Sequence, residues 1–501
     1  MRKSKSIGIV FAAILVLLGV SLFVSCRAKG ASAKDAVLIK IGSLYEPSNL
    51  SNVDASGQGS VEALSGNVYE ALFRLNDNGV VENLLAENYS KSSDGLKWTI
   101  KLRNGVKFHS GKLLTSDDVK KSYQRVMAED SLASRKSSYK IIQSIETPSA
   151  DTVVFNLDSP SISFPYILSY AWIVNTDAPD LKTAEDGTGP YTLDKWTRGS
   201  SISIKKWDEY WGEKAKNDGA VFNYFTDANA LSNALLSGGL DIITSVQSPD
   251  SISSFSDTTK YVVNNGASTT KEILAFNDKV KPFNDISVRK AIYSAIDRQK
   301  LLNSIWGNYG TLIGSMVPPT DPWYDPALAN ANPYDLELSN SLLKGAGYAD
   351  GFTFTLDTPT YDPHPIVAQF IQSELAKVGI TVNINPISGD EWYSKVFKAH
   401  DFEATLQEHV NDRDVVWYGN PDFYWGYKND KVIALISGAE SAESDADFTA
   451  ALLEVNRTIA SEAASVWLYL YPQIVVASAS LQGYPVNGLN SQFYVYNIVK
   501  R

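Results

Sequence analysis

Apolar and polar side chains alternate in several short stretches of the chain, which is the pattern of a half-buried β-strand. These stretches lie at residues 98–102, 153–157, 352–356 and 380–384. Between the last two, apolar residues recur at helical spacing over residues 366–378. A strand, a helix and a second strand of these lengths predict a parallel crossover unit, so we expect a fold of the α/β class.

A second strand-and-helix pattern occupies residues 274–302. The apolar run 274–276 stops before a proline-bearing turn, and Asn284 or Asp285 can cap the helix that follows. Apolar residues then recur at helical spacing over residues 288–296. Such a pattern opens a new α/β lobe, or it adds one more strand and helix to a single domain. Periodicity alone leaves both possibilities open.

The N-terminus begins with basic residues, and the eighteen residues from 7 to 24 carry no charge. This pattern indicates a signal peptide, although a stretch of this length could also span a bilayer. Cys26, the single cysteine of the chain, follows directly. It ends a string that resembles a lipobox, with Phe23 where that pattern usually has leucine. We expect removal of residues 1–25 and lipid attachment to Cys26, and the alternative is an uncleaved membrane helix.

Length, composition and net charge limit the number of domains and the classes of ligand to expect. A chain of 501 residues is too long for one ordinary core and suggests two or three domains. Its apolar content of 44% and charged content of 20% are typical of a soluble globular protein. The net charge of −11 argues against binding of nucleic acid or of an anionic membrane through a basic face.

Catalytic and metal-binding motifs are not indicated by the sequence. The chain has neither a GxSxG nor an HExxH string, and its four histidines lie in unrelated contexts. Histidines this scattered make a direct zinc or nickel site weak, although nickel carried by an organic chelator remains an alternative. We therefore predict no enzyme activity, no cofactor and no metal site.

Residues 276–299 read FNDKVKPFNDISVRKAIYSAIDRQ. This string closely resembles the motif of family 5 extracellular solute-binding proteins, the oligopeptide, dipeptide and nickel receptors of ABC importers. Blocks at residues 68–126, 187–191 and 240–243 resemble the same family in the expected order. The resemblance implies an α/β, two-lobed periplasmic-binding-protein-like fold (type II, cluster C). It also implies an extra subdomain in the first lobe and a hinge between the lobes.

The resemblance further implies domain boundaries. After the signal peptide (1–25) and a tether (26–36), the first lobe is expected at residues 37–67, 186–270 and 479–501, with the extra subdomain at 68–185 and the second lobe at 271–478. The chain is expected to cross between the lobes near residues 266–276 and 477–480. Such crossing strands let two lobes close on a ligand through small backbone rotations.

The expected ligand site lies in residues 402–427. Charged residues follow a strand that ends near Gln407, and ligands of open α/β sheets bind at the carboxyl ends of strands. In peptide receptors of the family, an aspartate just past this strand pairs with the ligand's α-ammonium group. An alignment without gaps places that aspartate at Asp412. The predicted substrate-binding residues are Asp412, Arg413, Asp414, His409, Trp417 and Trp425, with the backbone of Gln58 and Gly59 running beside the ligand. The alternatives are a solvated loop acid for Asp412 and core packing for the aromatic residues.

Two departures from the family pattern concern this site. Glu408 and His409 stand where the family usually has Gly-Trp. Dipeptide receptors also carry an arginine for the ligand carboxylate in the loop where this chain has Thr358, Tyr361 and His364. The aromatic residues could instead stack on sugar rings, as some members of the family bind oligosaccharides.

The resemblance implies a receptor for a di- or oligopeptide that delivers its solute to the permease of an ABC transporter. The expected partners are this solute and the permease subunits, with no nucleic acid, and the protein is expected to be a monomer. The lipid on Cys26 would hold it outside the cytoplasm, in the periplasmic space or on the outer face of the cell membrane. The alternatives are an oligosaccharide or a chelated nickel ion as the solute, or a secreted hydrolase.

Overall fold

The computed structural model describes residues 36–53, 57–178, 180–246, 249–489 and 492–501. Residues Val37–Arg501 form one compact unit. Two large sheets organise this unit, and each is covered by its own hydrophobic core. The predicted α/β class is confirmed, since helices and strands alternate along most of the chain.

The chain up to residue 266 forms strands more than helices. Its strands are β1 (Leu38–Ser43), β2 (Phe73–Leu75), β3 (Val81–Asn83), β4 (Ala86–Lys91), β5 (Lys97–Leu102), β6 (Ile142–Ser149), β7 (Thr152–Leu157), β8 (Tyr191–Thr197), β9 (Ser201–Lys206), β10 (Gly219–Tyr224), β11 (Ile242–Ile243) and β12 (Tyr261–Gly266). The α-helices of this part are α1 (Gln58–Leu64), α2 (Ser116–Met127), α3 (Phe164–Ile167), α4 (Ala228–Leu236) and α5 (Pro249–Ile252).

The middle of the chain adds β13 (Lys271–Phe276), β14 (Thr353–Pro359), β15 (Thr381–Ile387), β16 (Ala404–His409) and β17 (Ser465–Leu470). Its α-helices are α6 (Ile286–Ala295), α7 (Arg298–Trp306), α8 (Leu336–Gly345), α9 (His364–Ala376), α10 (Gly389–Glu391), α11 (Asp430–Ala439) and α12 (Asp445–Ser461). The chain closes with β18 (Gln473–Ser478), β19 (Leu481–Gln482) and β20 (Val499–Lys500).

The first lobe is built on a seven-stranded sheet in the order β12-β18-β11-β1-β10-β9-β8. Its central strand β1 pairs in parallel with β10 and β11, and it buries Ile39 and Ile41 completely. A separate four-stranded sheet, β4-β5-β7-β6, packs against α2 and forms the extra subdomain. In β5 the predicted alternation is present, because Trp98, Ile100 and Leu102 are buried and the residues between them are not.

The second lobe is built on a five-stranded sheet in the order β15-β14-β16-β13-β17. The predicted crossover unit is confirmed, since β14 and β15 pair in parallel and α9 connects them. Helix α6 begins where the capping pattern predicts, with the Asp285 carboxylate accepting from the Ser287 backbone N–H at 2.7 Å. The strand that precedes it, β13, is buried along its whole length.

The chain passes between the two large sheets at residues 267–270, from β12 to β13, and at residues 471–472, from β17 to β18. The first crossing lies within the expected range, whereas the second lies before the expected residues 477–480. The expected range is wrong because Val476 and Ala477 pair with both β11 and β12. Residues 473–478 therefore belong to the sheet of the first lobe and not to the second lobe.

A side-chain contact joins the rims of the two lobes. The hydroxyl groups of Ser161 and Ser163, in the extra subdomain, each donate to the Glu440 carboxylate of the second lobe at 2.7 Å. The backbone N–H of Ile162 donates to the carbonyl of Glu440 at 2.9 Å. We call these three hydrogen bonds the rim contact.

A buried ion pair lies at the N-terminal end of β13. The Lys271 side chain has no exposed area, Asp414 is 3% exposed, and their Nζ and Oδ2 atoms lie 3.2 Å apart. Burial opposes ionisation of Asp414, but the charge of Lys271 and the hydrogen bond from His409 outweigh it and lower the pKa of this carboxyl. Lys271 also donates to the carbonyl of Asn411.

We expect Asp414→Asn to destabilise the protein by about 3–5 kcal/mol at neutral pH, because it leaves the Lys271 ammonium group buried without a counter-charge. The native pKa of Asp414 lies below its unfolded value, so the pair stabilises above the unfolded pKa of about 3.9 and this stabilisation is lost as the pH falls below it. The difference between variant and wild type in denaturant unfolding should therefore shrink in acid. Asp422→Asn, at a carboxylate that is 91% exposed, is the matched control. Equal stability of both variants at neutral pH would contradict the assignment.

We expect Glu440→Ala to shift the molecule towards an open arrangement, since it removes the acceptor of both serine hydroxyls at the rim contact. Small-angle scattering of the ligand-free protein should then give a larger radius of gyration than wild type. Glu443→Ala, three residues further on and exposed, is the control and should leave the radius unchanged. A Glu440→Ala radius equal to that of wild type would show that the rim contact does not hold the lobes together.

Candidate functional site

A cavity of about 1000 Å³ lies where the two crossings meet the lobes. Both crossings contribute to its wall, through Ser268, Thr269, Thr270, Tyr471 and Pro472. The first lobe contributes, among others, Tyr45, Gln58, Glu62, Arg135, Tyr170 and Thr244. The second lobe contributes Trp306, Tyr361, Asp362, Glu408, Val410 and Asn411. A cleft of this size with a few ionisable groups is the usual form of a small-molecule site.

The first turn of α1 forms part of the cavity wall. Gln58 lines the cavity, and residues 58–60 lie in this first turn. The course of the Gln58 and Gly59 backbone beside a ligand stays a prediction. Gly59 lies behind Gln58, where a Cβ atom would come within 2.3 Å of the Tyr45 carbonyl oxygen. Glycine is thus required for helix α1 to approach the 45–47 segment closely.

Glu62 lies one helical turn beyond Gln58 and also lines the cavity. Its two carboxylate oxygens accept from the hydroxyl groups of Ser43 and Thr244, the latter at 2.7 Å. Burial raises the pKa of Glu62 to about 7, against the opposing effect of these hydrogen bonds. Glu62 is therefore a buried carboxyl whose acceptor positions are already used within the first lobe.

Arg135 carries positive charge to the cavity from the extra subdomain. Its guanidinium carbon lies 3.4 Å from the centre of the Tyr170 ring, in a cation–π contact. One guanidinium nitrogen lies 3.8 Å from a carboxylate oxygen of Asp412, and the same group is within 3.4 Å of the Asn411 side-chain oxygen. Arg135 thus faces the cavity while contacting the second lobe.

Asp412 lies behind this wall and is 8% exposed. Its Oδ1 accepts from the hydroxyl groups of Tyr166 at 2.7 Å and Tyr170 at 3.2 Å. Burial and the charge of Asp412 raise the pKa of Tyr166 far above its ordinary value, so its hydroxyl stays protonated and donates. The structure therefore places the predicted ammonium anchor in a bridge between the extra subdomain and the second lobe.

The other ionisable residues predicted for the site do not line the cavity. The Arg413 guanidinium lies 3.4 Å from the Tyr166 ring centre and 5.3 Å from that of Trp323. Asp414 belongs to the buried pair with Lys271. His409 forms a hydrogen bond of 2.9 Å with the Tyr424 hydroxyl. None of the three residues 409, 413 and 414 is among the residues that line the cavity.

The two tryptophans predicted to contact a ligand pack against other aromatic side chains of the protein. Trp425 is fully buried, with its ring centre 4.5 Å from that of Tyr418. Trp417 is 40% exposed and stacks on Phe423 at 4.9 Å. Neither lines the cavity, so core and surface packing describe them better than ligand stacking.

Sequence reasoning missed Glu62, Arg135 and Tyr170. No local motif marks them, because they reach the cavity from segments that lie far apart in the chain and meet only in the folded protein. Glu408 and Tyr361 did leave a signal. Both stand at positions where the chain departs from the family pattern, and both line the cavity.

The described residues provide neither a membrane-spanning helix nor a cluster of metal ligands. No helix in these parts of the chain is both long enough and apolar enough to cross a bilayer. Within the same residues, no three acidic, histidine or cysteine side chains come together as a metal site would require. Cys26 and the apolar run before it lie outside the described residues.

Comparison with known proteins identifies the family. The sequence model of bacterial extracellular solute-binding proteins, family 5, matches residues 80–431. The glutathione-binding protein GsiB of Salmonella choleraesuis (strain SC-B67) is 30% identical over 381 residues, which cover 73% of this chain and 72% of that protein.

Solved structures share the fold. DppA from Helicobacter pylori, in complex with the peptide STSA, has a TM-score of 0.73 at 23% identity and covers 93% of this chain and 98% of its own. NikA from Staphylococcus aureus, in complex with Ni(L-His)2, has a TM-score of 0.73 at 21% identity and covers 93% of this chain and 100% of its own. The expected two-lobed, type II periplasmic-binding-protein fold is confirmed, and the chain belongs to the family 5 bacterial extracellular solute-binding proteins.

Proposed function

We propose that this chain is a receptor that binds a di- or oligopeptide outside the cytoplasm and delivers it to the permease of an ABC transporter. The observation that carries the proposal is the cavity between the lobes, which presents both an arginine and carboxylates to one enclosed volume. A peptide has an ammonium group and a carboxylate at its two ends, so opposite charges in one cavity match it.

The comparisons favour the same class of solute. The relative with 30% identity is named for glutathione, which is itself a short peptide, and the DppA structure holds a tetrapeptide. NikA holds nickel with histidine, so a chelated metal remains the second candidate. In both cases the solute presents amino acid carboxylates and amino groups, and the polar groups of the cavity suit either.

Anchoring to the membrane is part of the proposal. The sequence supports cleavage of residues 1–25 and lipid attachment to the sulfur of Cys26. A lipid at this position would keep the receptor beside its permease, which raises the local concentration of loaded receptor. The proposed domain boundaries are those implied by the family, except that residues 473–478 lie in the first lobe.

The test is purification of the protein from native membranes followed by mass spectrometry of the intact chain and of the small molecules released from it. We expect a chain that starts at a lipid-modified Cys26 and a released peptide. A chain that retains Met1 would reject the lipid anchoring and leave the proposed solute untouched. A released oligosaccharide or nickel chelate would replace the peptide by that solute, and neither outcome affects the assignment to the family.

We expect Arg135→Gln to weaken binding of the released peptide by about 2–5 kcal/mol, because a carboxylate that enters the cavity loses its charged partner. The same peptide with an amidated C-terminus should bind wild type as weakly as the native peptide binds the variant. Calorimetry on the four combinations separates this interaction from indirect effects. Arg125→Gln, at a partly exposed arginine paired with Asp130, is the control.

Direct contact of Asp412 with a ligand ammonium group stays a prediction, and it requires the Tyr166 hydroxyl to release Oδ1. Asp412→Asn in the same calorimetry distinguishes the two roles. A loss that depends on the free amino terminus of the peptide supports direct contact. A loss that matches Arg135→Gln, and depends on the carboxylate of the peptide, shows that Asp412 acts by positioning Arg135.

A further inference from the structure

Negative charge exceeds positive charge around the cavity. Among the described residues that line it, the acidic side chains are Glu62, Asp362 and Glu408, and Arg135 is the single basic one. Arg135 already has the carboxylate of Asp412 at 3.8 Å. The walls therefore favour a solute that brings at least one positive charge of its own.

The three acidic residues are not equivalent. Glu62 uses both carboxylate oxygens for hydrogen bonds to Ser43 and Thr244. Asp362 is exposed, so water screens its charge. Glu408 is half-buried and lines the cavity, and the hydroxyl of Tyr361 is its hydrogen-bond partner. Of the three carboxyl groups, Glu408 is thus the one best placed to bind a group of the ligand.

A second buried carboxylate lies directly behind it. Strands β13 and β16 are antiparallel, and their register places Glu272 opposite Glu408. Like charges at directly opposed positions of a sheet destabilise it. Glu272 is fully buried and accepts from the Tyr471 hydroxyl through Oε2, whereas its Oε1 has no hydrogen-bond partner in the described structure.

The imidazole of His364 completes this group. Its Nε2 lies 3.5 Å from Oε1 of Glu272 and likewise has no hydrogen-bond partner within the described residues. Burial lowers the pKa of His364, so at neutral pH it does not supply the missing positive charge. Two carboxyl groups in a buried setting with unused polar atoms are incomplete without a proton or a cation.

The pKa shifts of Glu408 and Glu272 agree with a carboxyl pair that lacks a positive partner. Burial, and then the charge of Glu272, raise the pKa of Glu408. Burial raises the pKa of Glu272 to about 8. The other groups that face the pair are His364, Tyr361, Tyr469 and Tyr471, and the nearby carboxylates raise the pKa values of these three tyrosines further. Burial and mutual repulsion therefore disfavour ionisation of both carboxyls at the same time.

We propose that Glu408, with Glu272 behind it, is a specificity-determining subsite for an ammonium or guanidinium group of the solute. This inference rests on the proposal that the cavity is the ligand site, and it adds which charge the solute must carry. The cationic group displaces a proton from the carboxyl pair, so binding releases a proton to solvent. Arg135 can then bind a carboxylate elsewhere on the same solute.

The first test uses an equimolar library of dipeptides, tripeptides and pentapeptides without lysine, arginine or histidine, in which half of the members are N-acetylated. Retained peptides are identified by mass spectrometry. We expect wild type to prefer free amino termini by about tenfold or more, the usual size of a charge-pair effect. Glu408→Gln keeps the shape of the side chain and should abolish the preference. Asp422→Asn, on the exposed surface, should keep it. The proposal is overturned if wild type shows no preference or if Glu408→Gln retains it.

The second test uses spermidine and arginine amide as probes that are not peptides. If wild type retains no library member but binds either probe, and Glu408→Gln does not, the peptide proposal fails and the cation subsite stands. If wild type binds neither library nor probes, both proposals fail. Circular dichroism and thermal unfolding of each variant verify that it is folded.

The third test is the pH profile, which a merely structural role of Glu408 would not change. Protons compete with the cation, so affinity for the peptide retained best, or for spermidine if none is retained, should rise from pH 6 towards the pKa of about 8 of Glu272. Glu272→Gln removes the repulsion that raises the pKa of Glu408, so the rise should flatten. An unchanged slope in Glu272→Gln would overturn the coupling between the two carboxyls.

Discussion

The contact between the two lobes depends on one carboxylate of the second lobe, which is bound by side chains of the first lobe. Asp412 of the second lobe accepts hydrogen bonds from Tyr166 and Tyr170 of the extra subdomain, and Arg135 of that subdomain lies beside it. A buried charge needs such partners, because transfer from water without them is costly. The position of the extra subdomain relative to the second lobe depends on this bridge, and so does the orientation of Arg135 towards the cavity.

The bridge consists of side-chain contacts, whereas the two strand crossings are continuous backbone. The crossings at residues 267–270 and 471–472 stay in place in any arrangement of the lobes, and both line the cavity. The bridge is made of side chains, and the rim contact combines the Glu440 carboxylate with one backbone hydrogen bond from Ile162 to the Glu440 carbonyl. We expect any separation of the lobes to break the bridge and the rim contact and to leave the two crossings in place.

Family membership and solute chemistry are decided by different parts of the molecule. The strands, helices and crossings are those of the family 5 solute-binding proteins, and the fold is shared with DppA in complex with a peptide and with NikA in complex with Ni(L-His)2. We propose that the solute chemistry depends on a few side chains at the cavity wall, above all Arg135 and Glu408. The same scaffold can therefore serve many solutes, because changes at the wall leave the cores of both lobes intact.

The sequence by itself determined the fold. The alternation at Phe352–Leu356, the capped helix after Asp285 and the family motif at residues 276–299 all predicted elements that the structure contains. These signals are local, since burial of a strand face or capping of a helix depends on residues a few positions apart. The family string then assigned the two-lobed arrangement, although it placed the second crossing at residues 477–480 and not at 471–472.

Most of the cavity wall was decided by tertiary structure, although Gln58, Glu408 and Tyr361 could be singled out in the sequence. Asp412 and Glu408 are four residues apart and both carry a carboxyl group, yet packing turns Asp412 towards the tyrosines of the other lobe and leaves Glu408 at the cavity. Trp425 similarly became core because Tyr418 lies against its ring. Which side chain of a loop meets solvent and which meets the opposite lobe depends on contacts between segments hundreds of residues apart, and no local spacing encodes them.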